Sequence, residues 1–90
     1  MNREEAIELA LRLRAECKVW NRHAEDKYKM YTYITRPTKD RFFVKVTTKC
    51  DTMLHADAVI HRCGLFGYWI QMGLDGIEIV ITEEQQEPIV

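Results

Sequence analysis

The sequence predicts an α+β fold, a two-layer sandwich in which two helices pack on one face of a mainly antiparallel sheet in the order α-β-β-α-β-β. Three observations predict it. Apolar residues recur at helical spacing in 3–17 and again in 52–63, and apolar and polar residues alternate in 27–35 and 41–49. Two further segments, 68–72 and 77–82, are rich in β-branched and aromatic residues and flank a glycine-bounded turn. Ninety residues suffice for one core, so 1–82 is read as a single domain and 83–90, with three glutamates, as an acidic flexible tail.

The first helix is expected from Arg3 to about Cys17, with Asn2 as its cap and Glu5 placed three residues later to complete a capping box. At 100° per residue Ala6, Leu9, Ala10, Leu13, Cys17 and Trp20 share one quarter of the wheel. Ile7 and Leu11 stand on its shoulder, so a broad buried band is expected. Residues 20–26 are polar and read as the connection to a hairpin spanning 27–49.

In that hairpin Tyr28, Met30, Thr32 and Ile34 alternate with Lys27, Lys29, Tyr31, Tyr33 and Thr35. Likewise Phe42, Val44, Val46 and Thr48 alternate with Arg41, Phe43, Lys45, Thr47 and Lys49. The strands share a core face only if even residues oppose even residues. A five-residue loop achieves this by pairing Ile34 with Phe42 and a three-residue loop by pairing Arg36 with Phe42, whereas a four-residue loop needs a bulge. Pro37 cannot donate to a ladder, which puts Arg36-Pro37-Thr38-Lys39-Asp40 at the turn rather than inside a strand.

A second helix is expected over 52–63, capped by Asp51 or Thr52, with Met53, Ala56, Val59, Ile60 and Cys63 on its core face. Gly64 supplies the left-handed residue that ends it, and Leu65 the apolar contact that accompanies such an end. The last hairpin joins 68–72 to 77–82 through Gly73-Leu74-Asp75-Gly76, with Ile77, Ile79 and Ile81 alternating with Glu78, Val80 and Thr82. The element order is similar to that of small nucleic-acid-binding domains whose helices back one side of an antiparallel sheet. It lacks both the aromatic-glycine signature of the RNA-recognition module and the third consecutive strand of the double-stranded-RNA-binding domain.

Net charge is −1, but its sign is unevenly spread: residues 1–17 carry three basic and four acidic side chains, 18–49 nine and three, and 50–90 one and seven. A near-neutral chain thus concentrates positive charge in its first hairpin. There Lys27, Lys29, Tyr31, Tyr33, Arg41, Phe43, Lys45 and Lys49 form the expected binding face, combining flat rings with cations. Single-stranded nucleic acid is bound by those two contributions, stacking on rings and attraction of phosphates, although tyrosine and arginine also anchor protein interfaces. The expected partner is therefore nucleic acid or an acidic protein or nucleoprotein surface, and the chain's size fits a compact regulator or inhibitor of the kind phages and mobile elements encode. The alternative is an oligomeric interaction module, a homodimer in the simplest case, that uses Phe66, Tyr68 and Trp69 as a self-contact.

Catalytic signatures are lacking: no glycine-rich phosphate loop, Gly-x-Ser-x-Gly elbow or His-Glu-x-x-His occurs, so no enzyme and no cofactor are expected. Cys50, His55, His61 and Cys63 lack the paired spacing of a zinc site. Cys17 and Cys63 fall on apolar stripes, where burial makes a thiol inert, and Cys50 alone is expected near solvent. The longest charge-free stretch, 63–74, is shorter than the roughly 20 residues of a membrane-spanning helix, and the acidic start does not resemble a secretory signal. No membrane contact and a cytoplasmic location are expected.

Overall fold

The computed structural model describes residues 1–48, 57, 59–62, 64, 65, 67–73 and 76–82, with only the backbone of Lys27. Helix α1 spans Arg3–Asn21. The Asn2 side chain accepts from Glu5 N at 2.8 Å and the Glu5 carboxylate accepts from Asn2 N at 3.1 Å, which completes the capping box. Ala6, Leu9, Ala10, Leu13 and Cys17 are buried, as the wheel predicts. Ile7 and Leu11 are not: they are 38% and 61% exposed. At 100° per residue Ile7 and Leu11 lie about 105° and about 145° from the centre of the buried stripe, so they turn away from the sheet.

The strand expected from Lys27 begins later. Asp26–Tyr28 is a single 3₁₀ turn and β1 spans Met30–Thr38. Trp20 Nε1 donates to Tyr28 O at 2.8 Å, tying the turn to the end of α1. The Asn21 side chain then takes both main-chain groups of Met30, accepting from its N–H and donating to its C=O, each at 2.8 Å. Alternation thus holds from Met30 onward, and Lys27 and Lys29 belong to the approach rather than to the strand.

Strand β2 spans Arg41–Thr48, β3 Tyr68–Met72 and β4 Ile77–Ile81, in a four-stranded antiparallel sheet of spatial order β1-β2-β4-β3. Even residues oppose even ones in β1 and β2, with Ile34 opposite Val44, the register of a three-residue loop. A bulge between Thr35 and Thr38 then pairs Thr38 with Arg41 and leaves Lys39 and Asp40 as the turn. Pro37 therefore lies inside β1, contrary to the expectation that it belongs to the turn. An edge strand at a bulge tolerates a residue without an N–H. Arg36 clamps the turn, donating from Nε and Nη2 to Lys39 O at 3.0 and 2.6 Å with its guanidinium 5.4 Å from the Phe42 ring centroid.

One face of the sheet carries the core. Met30, Val44, Val46, Ile77, Ile79 and Ile81 pack with the α1 stripe, and each large apolar side chain so buried contributes about 1.5–3 kcal/mol. Of the second helix, residues 57 and 59–62 are helical, while 52–56, 58 and 63 lie outside the described residues. Val59 and Leu65 join the same core cluster as α1. Leu65 N donates to Ile60 O at 3.1 Å across Gly64 at φ +60°, the helix stop read from the sequence. Arg62 Nε meets Glu16 Oε2 at 3.1 Å, setting this segment beside α1. The acidic tail 83–90 also lies outside the described residues.

Candidate functional site

The sheet face turned away from α1 carries two side-chain rows, each crossing all four strands in the order β1, β2, β4, β3. In register they read Tyr33, Lys45, Val80, Trp69 and Tyr31, Thr47, Glu78, Gln71. Phe43 stands one step along β2 from Lys45 on the same side. Tyr31, Tyr33 and Trp69 are 53%, 37% and 46% exposed, so three rings face solvent together.

Trp69 and Phe43 meet edge to face, with ring centroids 5.7 Å apart and planes at 86°. Strand β4 runs between them, and Val80 beneath the pair is only 1% exposed although it belongs to the outward side of its strand. The outer face therefore has a small apolar core of its own.

Beside it runs a polar chain. Trp69 Nε1 donates to Gln71 Oε1 at 2.9 Å and Gln71 Nε2 to Glu78 Oε1 at 3.1 Å, while the Tyr33 hydroxyl reaches across β2 to donate to Glu78 Oε2 at 2.9 Å. The bonds from Gln71 and Tyr33, aided by nearby Lys45, hold the Glu78 carboxyl below its ordinary range. Tyr33 is shifted the other way: partial burial first, then its bond to Glu78, raises its phenol above the ordinary value.

The predicted face is thus gathered only in part. Tyr31, Tyr33, Phe43 and Lys45 share it, and Arg41 is exposed at the turn end of β2. Lys29 lies before β1 and pairs with Asp26 at 3.0 Å, which raises its pKa. The Lys27 side chain and Lys49 lie outside the described residues. Trp69, Gln71, Glu78 and Val80 belong to the face and were not assigned to it by sequence reasoning. Tyr68, one position before Trp69, points to the helix side of the sheet and Phe66 lies outside the described residues. The signal for Glu78 and Val80 was their alternation with the buried isoleucines.

A groove of about 500 Å³ runs between α1 and the edge of β1, lined by Arg14 and Lys18 on the helix, by Arg22 just past its end and by Tyr31 on the strand. Cys17, a free thiol at its base, contacts Thr32 Oγ1 at 3.4 Å, and burial pushes its pKa up, which disfavours the nucleophilic thiolate. Among the zinc donors weighed from the sequence, His61 is exposed and Cys50, His55 and Cys63 lie outside the described residues. Among the described residues, no helix is long and apolar enough to cross a membrane. No family model, curated protein or solved structure matches the chain.

Proposed function

We propose that this is a small non-enzymatic binding protein, regulatory in role, that engages a negatively charged macromolecule through the open face of its sheet. The partner is nucleic acid or the acidic surface of a protein or nucleoprotein complex, met without a cofactor and in the cytoplasm. The observation that carries the reading is the grouping of Tyr31, Tyr33 and Trp69, all exposed, around Lys45. Exposed rings on a rigid sheet give bases or apolar side chains a stacking surface at about 1–3 kcal/mol each, and the adjacent cation favours an anionic partner.

Glu78 favours a second reading of the same face. A carboxylate in the second row, its pKa lowered by its bonds to Gln71 and Tyr33, repels a phosphate backbone, whereas a protein partner can meet it with a lysine or arginine while its own carboxylates meet Lys45 and Arg41. Fluorescence anisotropy with labelled single-stranded oligonucleotides, titrated over a range of salt, separates the two. Nucleic-acid binding requires affinity that falls steeply with salt and weakens in Lys45→Glu. No binding at low salt, together with capture of a protein by the wild type and not by an Arg41→Glu/Lys45→Glu variant, supports the protein reading. Failure of both assays removes the proposal.

A further inference from the structure

The side of α1 opposite the core carries an apolar ridge. Ile7, Leu11, Ala15 and Val19 follow one another at intervals of four, and all are exposed, Leu11 at 61% and Val19 at 44%. At 3.6 residues per turn the ridge centre lies about 165° from the centre of the buried stripe. Charges divide along the same side by sign: Glu4 and Glu8 accompany its first half, Lys18 and Arg22 its second, and all four are exposed. The ion pairs among the described residues, Lys29–Asp26 and Arg62–Glu16, use none of them.

We infer that this face is the self-complementary interface of an antiparallel homodimer, whose occupant is a second copy of the same helix. A two-fold contact brings residue i against residue j and j against i. With the axis level with position 13, Leu11 meets Ala15 of the second copy and Glu4 meets its Arg22 near the centre line, each pair formed twice. Glu8 falls level with Lys18 within reach of their long side chains, and Ile7 and Val19 flank the contact on either side. The small Ala15 opposite Leu11 lets the backbones approach at the crossing. Arg12 and Arg14 fall level with each other but lie toward opposite rims, and Arg14 is turned to the sheet, donating from Nε to Thr32 O at 3.2 Å.

The 19-residue helix is about 28 Å long, and a strip of that length buries less than the roughly 1,200 Å² found in stable complexes. The dimer is therefore weak and concentration-dependent. Because the ridge faces away from the sheet, pairing leaves both open sheet faces outward, so one dimer presents two binding faces back to back. The inference does not depend on what those faces bind.

Sedimentation equilibrium of the full chain from micromolar to millimolar concentration tests it. The wild type shifts from monomer to dimer across that range, and Leu11→Glu weakens self-association by about tenfold or more with an unchanged circular dichroism spectrum. The Glu4→Lys/Glu8→Lys variant and the Lys18→Glu/Arg22→Glu variant each remain monomeric at low salt, yet form a one-to-one heterodimer when mixed, because every facing pair is then of opposite sign. A wild type that stays monomeric at millimolar concentration overturns the inference. So does a dimer indifferent to Leu11→Glu, or a mixture that yields no heterodimer.

Discussion

Val80 offers the sharpest test of the outer face, because an outward position on a strand is ordinarily insensitive and this one is buried. Val80→Ala removes two methyl groups from a site 1% exposed, a transfer loss of about 1.6 kcal/mol at 0.8 kcal/mol per carbon. A further cavity cost arises if the Phe43–Trp69 pair does not collapse onto the space. A total near 2 kcal/mol lowers the melting temperature of a domain this size by roughly 8–16 °C. A substitution at an ordinary solvated position stays within about 0.5 kcal/mol. Urea denaturation followed by circular dichroism measures the difference, and Phe43→Ala and Trp69→Ala, alone and together, measure the ring pair's coupling, expected at about 0.5–1.5 kcal/mol. A Val80→Ala loss below about 0.5 kcal/mol would show that the rings do not cover β4, and the two-row description of the face would fail with it.

Asn21→Asp keeps an acceptor for Met30 N–H but sets a carboxylate against Met30 C=O, costing about 1–3 kcal/mol at neutral pH. Folding then raises the introduced carboxyl's pKa, so the deficit shrinks as acid protonates it; a deficit equal at pH 7 and pH 4 by urea midpoint contradicts this. Glu78 has a lowered folded-state pKa, so its contribution is present above the ordinary glutamate range and fades as pH falls through the folded value. Tyr33, raised, contributes below the ordinary phenol range and loses that contribution as pH rises through its folded value. Glu78→Gln should flatten the acid limb of a stability-against-pH curve by less than about 1 kcal/mol, given the solvent screening of a partly exposed group. Gly64→Ala places a side chain at φ +60° with no atom within 4 Å of the new Cβ, so the cost is conformational alone, about 1–2 kcal/mol by thermal unfolding. A loss well beyond that indicates a steric clash instead.

What the sequence disclosed follows from how locally each feature is determined. The α1 stripe, its capping box and the Gly64 stop depend on residues within a turn or two of one another, and each appears where spacing puts it. The even-with-even register of the first hairpin was legible because a one-residue slip would turn Val44 and Val46 outward. Pro37 was misplaced since its tolerance depends on β1 being an edge strand, which sheet order decides. That order also hid the site: only when β4 lies between β2 and β3 does Trp69 come beside Phe43 and over Val80. The 3₁₀ turn at Asp26–Tyr28 arises from Trp20 and Asn21 reaching forward from α1, contacts that no alternation within 27–35 encodes.

How a partner reaches this protein is constrained by the edge of β1. An added strand would pair with main-chain groups there, but Met30 N–H and C=O are held by Asn21 and Thr32 C=O by Arg14. Displacing three such bonds at about 1 kcal/mol each opposes strand addition at that end, as guarded edges do in general. The proposed function therefore places docking on the side chains of the open face rather than on this end of β1, and Tyr31 isolates their contribution best. Phe43 and Trp69 also cover Val80, and Tyr33 also bonds Glu78, so truncating any of them perturbs the fold along with the surface. Tyr31 is 53% exposed at the meeting of the face and the α1 groove. Tyr31→Ala should leave stability within about 0.5 kcal/mol while weakening partner binding by about 1–3 kcal/mol. A variant that melts like the wild type and binds like it would move the contact surface away from this sheet face.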